Sequence, residues 1–117
     1  MDGDNFRRES MRIAGARVGS DRSGDRVINV ENPYTRQIIG SVPKATLEEV
    51  RDAFAKAAAY KPKLTRFERS NILNRAAAIV RGRTEQIALL ITSESGLCLK
   101  DATYEVGRVA DVLNFGA

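Results

Sequence analysis

The chain has 117 residues, of which 43% are hydrophobic, and this is enough for one small globular core, which argues against a wholly disordered protein. Its formal net charge of +4 comes from 19 basic residues interspersed with 15 acidic ones, so we expect no nucleic-acid partner. A single cysteine and the absence of histidine exclude an internal disulfide, a Cys/His zinc site and a Cys/His catalytic pair.

The N-terminus and the hydropathy pattern bear on the location of the protein. Residues 1–22 contain acidic side chains and no continuous apolar stretch, so they have the character of neither a signal peptide nor a transit peptide. No segment reaches the ~20 apolar residues that span a bilayer, and we expect no membrane association. Since one free cysteine fits a reducing compartment, these features predict a cytoplasmic protein.

The first 42 residues have the pattern of short strands. Residues 1–10 are polar without periodicity and predict a mobile tail. The segment 11–18 alternates with the strand period, 19–25 contains the residues of a turn, and 26–30 is the expected return strand of a hairpin. Asn32 and Pro33 predict a tight turn because proline fixes its own φ, and residues 37–42 form another strand.

From residue 44 the period of the apolar residues changes from two to 3.6, which predicts helices. Thr46 and Glu49 have the spacing of a capping box, and the helix that they begin is expected to end at about Tyr60, before Pro62. We expect the buried stripe of this helix to consist of Val50, Phe54, Ala57 and Ala58.

Three further helices are predicted in the second half of the chain. Thr65 and Glu68 form another capping box, for a helix that ends at Gly82. Thr84 begins the third helix, which stops at Gly96 because glycine suits the left-handed residue that ends many helices. Residues from about 100 to 115 form the fourth, and no Gly/Ser-rich linker divides residues 11–117 into two domains. The apolar face predicted for the second helix comprises Phe67, Ile72, Ala76, Ile79 and Val80.

Residues with catalytic potential are scarce. Neither Gly-x-Gly-x-x-Gly nor Gly-x-x-x-x-Gly-Lys-Ser/Thr occurs, which excludes a complete nucleotide site within this chain. Cys98 has no histidine base and lies between Leu97 and Leu99, so we expect a buried, inert thiol rather than a nucleophile. Glu48 and Glu49 fall in the first turn of a helix, where the helix dipole favours negative charge, and are expected to cap it. No catalytic, cofactor-binding or metal-binding residue is therefore predicted.

Several segments, in their order along the chain, resemble the beginning of the NAD(P)-dependent aldehyde dehydrogenase superfamily. Residues 32–43, Asn-Pro-Tyr-Thr-Arg-Gln-Ile-Ile-Gly-Ser-Val-Pro, resemble the family pattern Asn-Pro-x-Thr-Gly-x-x-Ile-Gly-x-Val-Pro. Residues 66–73 resemble its Arg-x-x-Ile-Leu helix, and residues 90–96 resemble the segment that ends Glu-Thr-Gly-Lys-Pro, with Leu97 and Cys98 where Lys-Pro is common. The resemblance covers residues 11–117.

The resemblance implies an α/β fold, in which residues 11–117 are the N-terminal part of the Rossmann-like cofactor domain, incomplete in this chain. The nucleophilic cysteine, the glutamate base and the glycine-rich cofactor loop of that family come later in the polypeptide, so this chain alone is expected to be inactive and to bind no cofactor. The full-length protein is expected to use NAD or NADP and to form a homodimer or homotetramer. Its reaction would be attack of a thiolate on an aldehyde, hydride transfer to nicotinamide and hydrolysis of the thioester.

The last predicted helix carries the candidate substrate-binding residues, Tyr104 and Arg108. Together with Asp111 and Phe115 they fall on one stripe, while Val106, Val109 and Leu113 form a separate apolar stripe. In the resembling family the matching helix lines the aldehyde tunnel, so an arginine there implies an anionic substrate. The simpler alternative is that Arg108 forms an ordinary surface ion pair with Glu105 or Asp111.

Residues 59–69 and 104–108 are especially similar to the phosphonoacetaldehyde dehydrogenase subgroup, which implies oxidation of phosphonoacetaldehyde to phosphonoacetate. A carboxylated semialdehyde such as succinate semialdehyde is also anionic and would likewise suit an arginine in the tunnel, so it is the first alternative substrate. A third possibility is a non-catalytic helical module that uses the same fold for oligomerisation or interaction.

Overall fold

The computed structural model describes residues 6–117, and their contacts group into two compact units. The first unit ends at Lys61, and the second comprises Pro62–Ala117. The division falls at the predicted helix end before Pro62, although the sequence there lacks the Gly/Ser-rich composition of a flexible linker. The strands of the first unit are β1 (Arg7–Arg8), β2 (Met11–Ile13), β3 (Ala16–Val18), β4 (Val27–Glu31) and β5 (Ile38–Pro43), followed by helix α1 (Leu47–Ala59).

Strand β5 is the centre of a three-stranded sheet of order β1-β5-β4. Its antiparallel partner β4 is reached through the turn predicted at Asn32, whose side-chain oxygen accepts hydrogen bonds from the backbone N–H groups of Tyr34 at 2.9 Å and Thr35 at 3.0 Å. This asparagine turn sets the register in which Val30 pairs with Gly40. The predicted turn and both strands beside it are confirmed.

The second sheet is a hairpin of β2 and β3 alone. Ala14 and Gly15 form its turn, with φ values of 50° and 83°, a conformation that matches the right-handed twist of paired strands. The hairpin predicted between residues 11–18 and 26–30 is therefore wrong, because the first segment reverses within itself. Alternation of apolar residues specifies a strand but does not mark where the strand turns back.

Strand β1 corrects the prediction for the N-terminus. Arg7 and Arg8 pair in parallel with Gly40 and Ser41, so the predicted mobile tail of residues 1–10 does not extend through this strand, whereas residues 1–5 lie outside the described part. Gly40 permits the close approach, because a Cβ at this position would lie 2.8 Å from the carbonyl oxygen of Arg7. Two successive arginines carry no apolar alternation, and backbone hydrogen bonds leave no pattern in the sequence.

Helix α1 begins with the predicted capping box. The Thr46 side chain accepts a hydrogen bond from the Glu49 N–H at 3.2 Å, and the Glu49 carboxylate accepts one from the Thr46 N–H at 2.8 Å. The predicted buried stripe is wrong, since no residue of α1 is buried and the Phe54 side chain is 73% exposed. An apolar stripe identifies an amphipathic helix, but burial requires a partner surface that the described residues do not supply.

Three helices build the second unit, and the last of them packs against both of the others. The closest packing involves small side chains, with Ala88, Ala102 and Val106 as the central cluster and Val80, Ile87, Ile91 and Leu97 around it. Alanine adds little width to a helix, so side chains of this size favour close packing between helices. The helices are α2 (Arg66–Gly82), α3 (Thr84–Ser95) and α4 (Leu99–Phe115).

The ends of these helices agree with the sequence-based prediction more closely than their faces do. Thr65 and Glu68 form the second capping box, and Gly96 ends α3 with a φ of 73°. The face predicted for α2 is partly wrong, because Phe67 and Ile79 are exposed while Ala77 is buried. Apolar periodicity alone did not identify Ala77 as the buried position of this helix.

Candidate functional site on the last helix

Helix α4 presents two different faces. Ala102, Val106 and Ala110 are buried in the second unit. Tyr104 and Arg108 lie on another face and are exposed, Tyr104 to 69%. The two predicted substrate-binding residues are one helical turn apart and are brought together on the same exposed stripe, as their spacing requires. The separate apolar stripe is partly confirmed, since Val106 is buried but Val109 is exposed.

Arg108 is engaged by Glu105, three residues earlier. Its Nη1 donates to Glu105 Oε1 at 3.1 Å and to Oε2 at 3.5 Å, and the arginine side chain remains 60% exposed. Among the described residues, Nη2 and Nε of Arg108 have no hydrogen-bond acceptor. The surface ion pair that the sequence offered as the simpler alternative is thus present, and it occupies one end of the guanidinium group.

Asp111, the other predicted partner for Arg108, contacts a different arginine. Nη2 of Arg81, in the last turn of α2, lies 3.5 Å from Asp111 Oδ1. When the Asn114 amide is oriented with its oxygen toward Arg81, that oxygen accepts from Nη2 at 2.6 Å and from Nη1 at 3.0 Å. Sequence reasoning missed Arg81, because it is on another helix and no periodicity relates it to Asp111.

Cys98 differs from its prediction. It immediately precedes α4 and is exposed, not buried between its leucine neighbours. The start of the helix places Cys98 outside the packed faces, which the apolar character of Leu97 and Leu99 did not reveal. Within residues 6–117, no group of three or more cysteine, aspartate or glutamate side chains is arranged to hold a metal ion.

Glu49 is a structural carboxylate rather than an acid–base group. The Arg22 guanidinium donates to it, and the Thr46 N–H adds a second interaction, so the pKa of Glu49 falls to about 2. The same contact raises the pKa of Arg22. A carboxylate held ionised in this way caps a helix and is a poor proton donor or acceptor near neutral pH.

An open groove of about 700 Å³ runs along the exterior of α2. Its lining contains none of the predicted site residues, and Glu68 there has a pKa lowered by hydrogen bonds from Thr65. The groove is therefore separate from the stripe of Tyr104 and Arg108. Its lining residues are Leu64, Glu68, Asn71, Ile72, Asn74, Arg75 and Ala78.

Membrane-spanning character is not found in the helices of the described residues: none is long and apolar enough to cross a bilayer.

Proteins of known sequence and structure resemble this chain over most of its length. The chain is 37% identical to 1-pyrroline-5-carboxylate dehydrogenase 2 of Halalkalibacterium halodurans over 108 residues, which are 90% of this chain and 20% of the relative. It is 35% identical to the glutarate-semialdehyde dehydrogenase of Pseudomonas aeruginosa over 111 residues, 92% of this chain and 23% of that protein. A similar solved structure is the crystal structure of aldehyde dehydrogenase 21 from Physcomitrella patens in complex with the reaction product succinate. It superposes on this chain with a TM-score of 0.83 at 32% identity, and the match covers 92% of this chain and 22% of that one.

The chain spans about a fifth of the length of the curated relatives it matches. The predicted fold class is confirmed, because the strands and helices match an N-terminal α/β segment of solved aldehyde dehydrogenases. The family profile, described as the aldehyde dehydrogenase family, matches residues 20–117. The chain belongs to the aldehyde dehydrogenase family.

Proposed function

We propose that these residues are the N-terminal segment of a longer NAD(P)-dependent aldehyde dehydrogenase that oxidises an anionic aldehyde. The observation that carries the substrate proposal is the position of Arg108 beside Tyr104 on the exposed stripe of α4. The other face of this helix is committed to packing within the second unit, so the exposed stripe is available to line a substrate path.

Arg108 is suited to anion recognition because its guanidinium group is charged and because the ion pair with Glu105 leaves part of that group free. Guanidinium is permanently charged and presents a planar set of donors to a carboxylate or phosphonate. Among the described residues, Glu105 accepts hydrogen bonds from Nη1 alone, so Nη2 and Nε remain available as donors to a second anion. In a tunnel from which water is partly excluded, this attraction becomes stronger than the exposed ion pair seen in the segment. Tyr104 offers one hydroxyl donor on the same stripe.

A carboxylated semialdehyde has additional support as the substrate class. One relative is named for glutarate semialdehyde, and one similar structure contains succinate as its reaction product. Relatives named for lactaldehyde and benzaldehyde match at comparable identity, so charge at Arg108 rather than overall similarity carries the proposal. Phosphonoacetaldehyde is the second candidate, because its phosphonate makes the same electrostatic demand on Arg108.

We include in the proposal a cytoplasmic homo-oligomer, a dimer or tetramer, with NAD or NADP bound by residues outside this segment. A similar structure from Sinorhizobium meliloti, 26% identical with a TM-score of 0.80, is described as NAD-dependent, which supports the cofactor class.

The experiment that tests the substrate proposal compares charged and uncharged aldehydes of similar size. In the complete enzyme that carries this segment, Arg108→Leu should raise KM for succinate semialdehyde and phosphonoacetaldehyde by about tenfold or more, the effect expected when a charge-assisted contact is lost. KM for butanal should change little, and Arg108→Lys should retain part of the preference. An equal effect on charged and uncharged aldehydes would contradict charge recognition by Arg108.

The alternative, a non-catalytic helical module that uses the fold for oligomerisation or interaction, is distinguished by the encoding frame. A frame that continues for several hundred codons and encodes a glycine-rich loop, a glutamate and a reactive cysteine supports the enzyme. A natural stop codon directly after Ala117 would favour the module.

A further inference from the structure

The four charged side chains around the exposed stripe of α4 form two separate pairs. Arg108 is paired with Glu105, and Asp111 is paired with Arg81. Asp111 is three residues after Arg108, and side chains at this spacing are neighbours on a helix surface. Without a partner elsewhere, the Asp111 carboxylate would be positioned to compete with any anion that approaches Arg108.

Arg81, at the end of α2, is the partner of the Asp111 carboxylate. Its guanidinium contacts Asp111 and, with the amide oriented as above, Asn114, so it reaches two successive turns of α4. Arg81 also places a positive charge near the C-terminal end of α4, where the helix dipole favours it. The pair is exposed, 52% for Arg81 and 79% for Asp111, so its contribution to folding stability is small and its effect on local charge is the larger consequence.

The charge balance at the stripe depends on this residue. With Arg81 present, the two cations and two carboxylates cancel, and an incoming anion meets no net repulsion. Without Arg81, the same surface would carry one net negative charge within a helical turn of Arg108. Interactions over this distance are only partly screened by physiological salt.

We propose that Arg81 is a positioning and specificity-determining residue for an anionic substrate, because it holds the Asp111 carboxylate away from Arg108. This inference rests on the proposed function of Arg108 and extends it to a side chain on another helix. Arg81 is not a catalytic residue, since it acts through Asp111.

The test is a double-mutant cycle in the complete enzyme, with succinate semialdehyde and butanal as probes. Arg81→Met should raise KM for succinate semialdehyde about threefold, within the range of exposed charge pairs, and leave its kcat and the KM for butanal unchanged. Asp111→Asn should lower KM for the charged aldehyde, because it leaves the Arg81 cation uncompensated near Arg108. The double variant should return KM to the parent value, because the uncompensated carboxylate is then also absent.

A purely structural role for the ion pair between Arg81 and Asp111 predicts a different result. Removal of both partners would then leave the double variant as impaired as Arg81→Met, or would affect both aldehydes equally, and either outcome overturns the inference. If Arg81→Met does not fold, Arg81→Gln takes its place in the same cycle, and a KM of Arg81→Gln for the charged aldehyde equal to the parent value contradicts the proposal.

Failure of this inference is distinguishable from failure of the proposed function. If Arg108→Leu is selective for the charged aldehyde but the cycle shows no rescue, only the role of Arg81 is rejected. If Arg108→Leu acts equally on both aldehydes, recognition of the anion by Arg108 is rejected and the role of Arg81 is rejected with it.

Discussion

Arg22 and Glu49, 27 residues apart in sequence, are joined by two hydrogen bonds between guanidinium and carboxylate. Nη1 of Arg22 donates to Glu49 Oε2 at 3.0 Å and also to the carbonyl oxygen of Lys44 at 2.8 Å, while Nη2 donates to Glu49 Oε1. The Arg22 side chain is only 7% exposed, although it lies in a loop. This contact attaches the loop before β4 to the capped N-terminus of α1.

The first prediction concerns the acid sensitivity of this contact. The pKa of Glu49 is lowered from its ordinary value of 4.5 to about 2, so its ionised form is favoured in the folded state. The resulting stabilisation is fully present above pH 4.5 and is lost as the pH falls from 4.5 toward 2. Glu49→Gln should therefore lower the melting temperature at pH 7 and weaken its dependence on pH in this window, as measured by circular dichroism.

Glu48→Gln is the matched control, because Glu48 lies in the same first turn but forms no ion pair or side-chain hydrogen bond with the described residues. It removes the same charge near the helix dipole. Equal melting curves for the two variants at every pH would contradict the role of Arg22.

The second prediction tests the strand that sequence analysis missed. Gly40→Ala places a Cβ against the carbonyl oxygen of Arg7, so the pairing of β1 with β5 should be lost at a cost of about 1 kcal/mol. The Glu9 N–H, which donates to Ser41 at 3.1 Å, should then exchange faster with deuterium. Gly107→Ala is the control, because an added Cβ there meets no atom within 4 Å and should stabilise α4 by about 0.5–1 kcal/mol. Retained protection at Glu9 in Gly40→Ala would argue against the parallel strand.

A third prediction addresses the capping box of α2. The Thr65 hydroxyl accepts from the Glu68 N–H at 3.2 Å and donates to its carboxylate at 2.8 Å. Thr65→Ala removes both interactions and should destabilise the second unit by about 1 kcal/mol in urea unfolding followed by circular dichroism. Thr65→Ser keeps the hydroxyl and should stay close to the parent, so a loss of similar size in both variants would point to packing of the threonine methyl group instead.

The fourth prediction is that the isolated 117-residue chain self-associates. Val112 and Phe115 are 70% and 97% exposed and are neighbours on the last turns of α4, so they form a contiguous apolar surface. Phe115→Glu should shift the chain toward monomer in sedimentation velocity, because it places a charge on this surface. Tyr34→Glu, at an equally exposed aromatic in the turn before β5, should leave association unchanged. A parent chain that stays monomeric at high concentration would contradict the prediction.

In the candidate site, the sequence correctly predicted only those neighbours that lie on the same helix. Tyr104 and Arg108 are one turn apart, so helical periodicity placed them on one stripe, and Glu105 was correctly considered as a partner for Arg108. Asp111 was considered as a partner for the same arginine but contacts Arg81, because α2 ends beside the last turns of α4. A contact between helices depends on how they cross, and no spacing within one helix encodes that crossing.

Local backbone chemistry explains what the sequence determined by itself. Thr46 with Glu49 and Thr65 with Glu68 satisfy N–H groups within one turn, and Gly96 accepts a left-handed conformation without steric cost, so helix ends follow from neighbouring residues. The tertiary structure decided the rest: the pairing of β1 with β5, the exposure of Cys98 and the choice of Ala77 over Phe67 as the buried side chain of α2. Those outcomes depend on contacts between residues distant in the chain, where backbone hydrogen bonding and the close approach of small side chains outweigh the apolar character of any one segment.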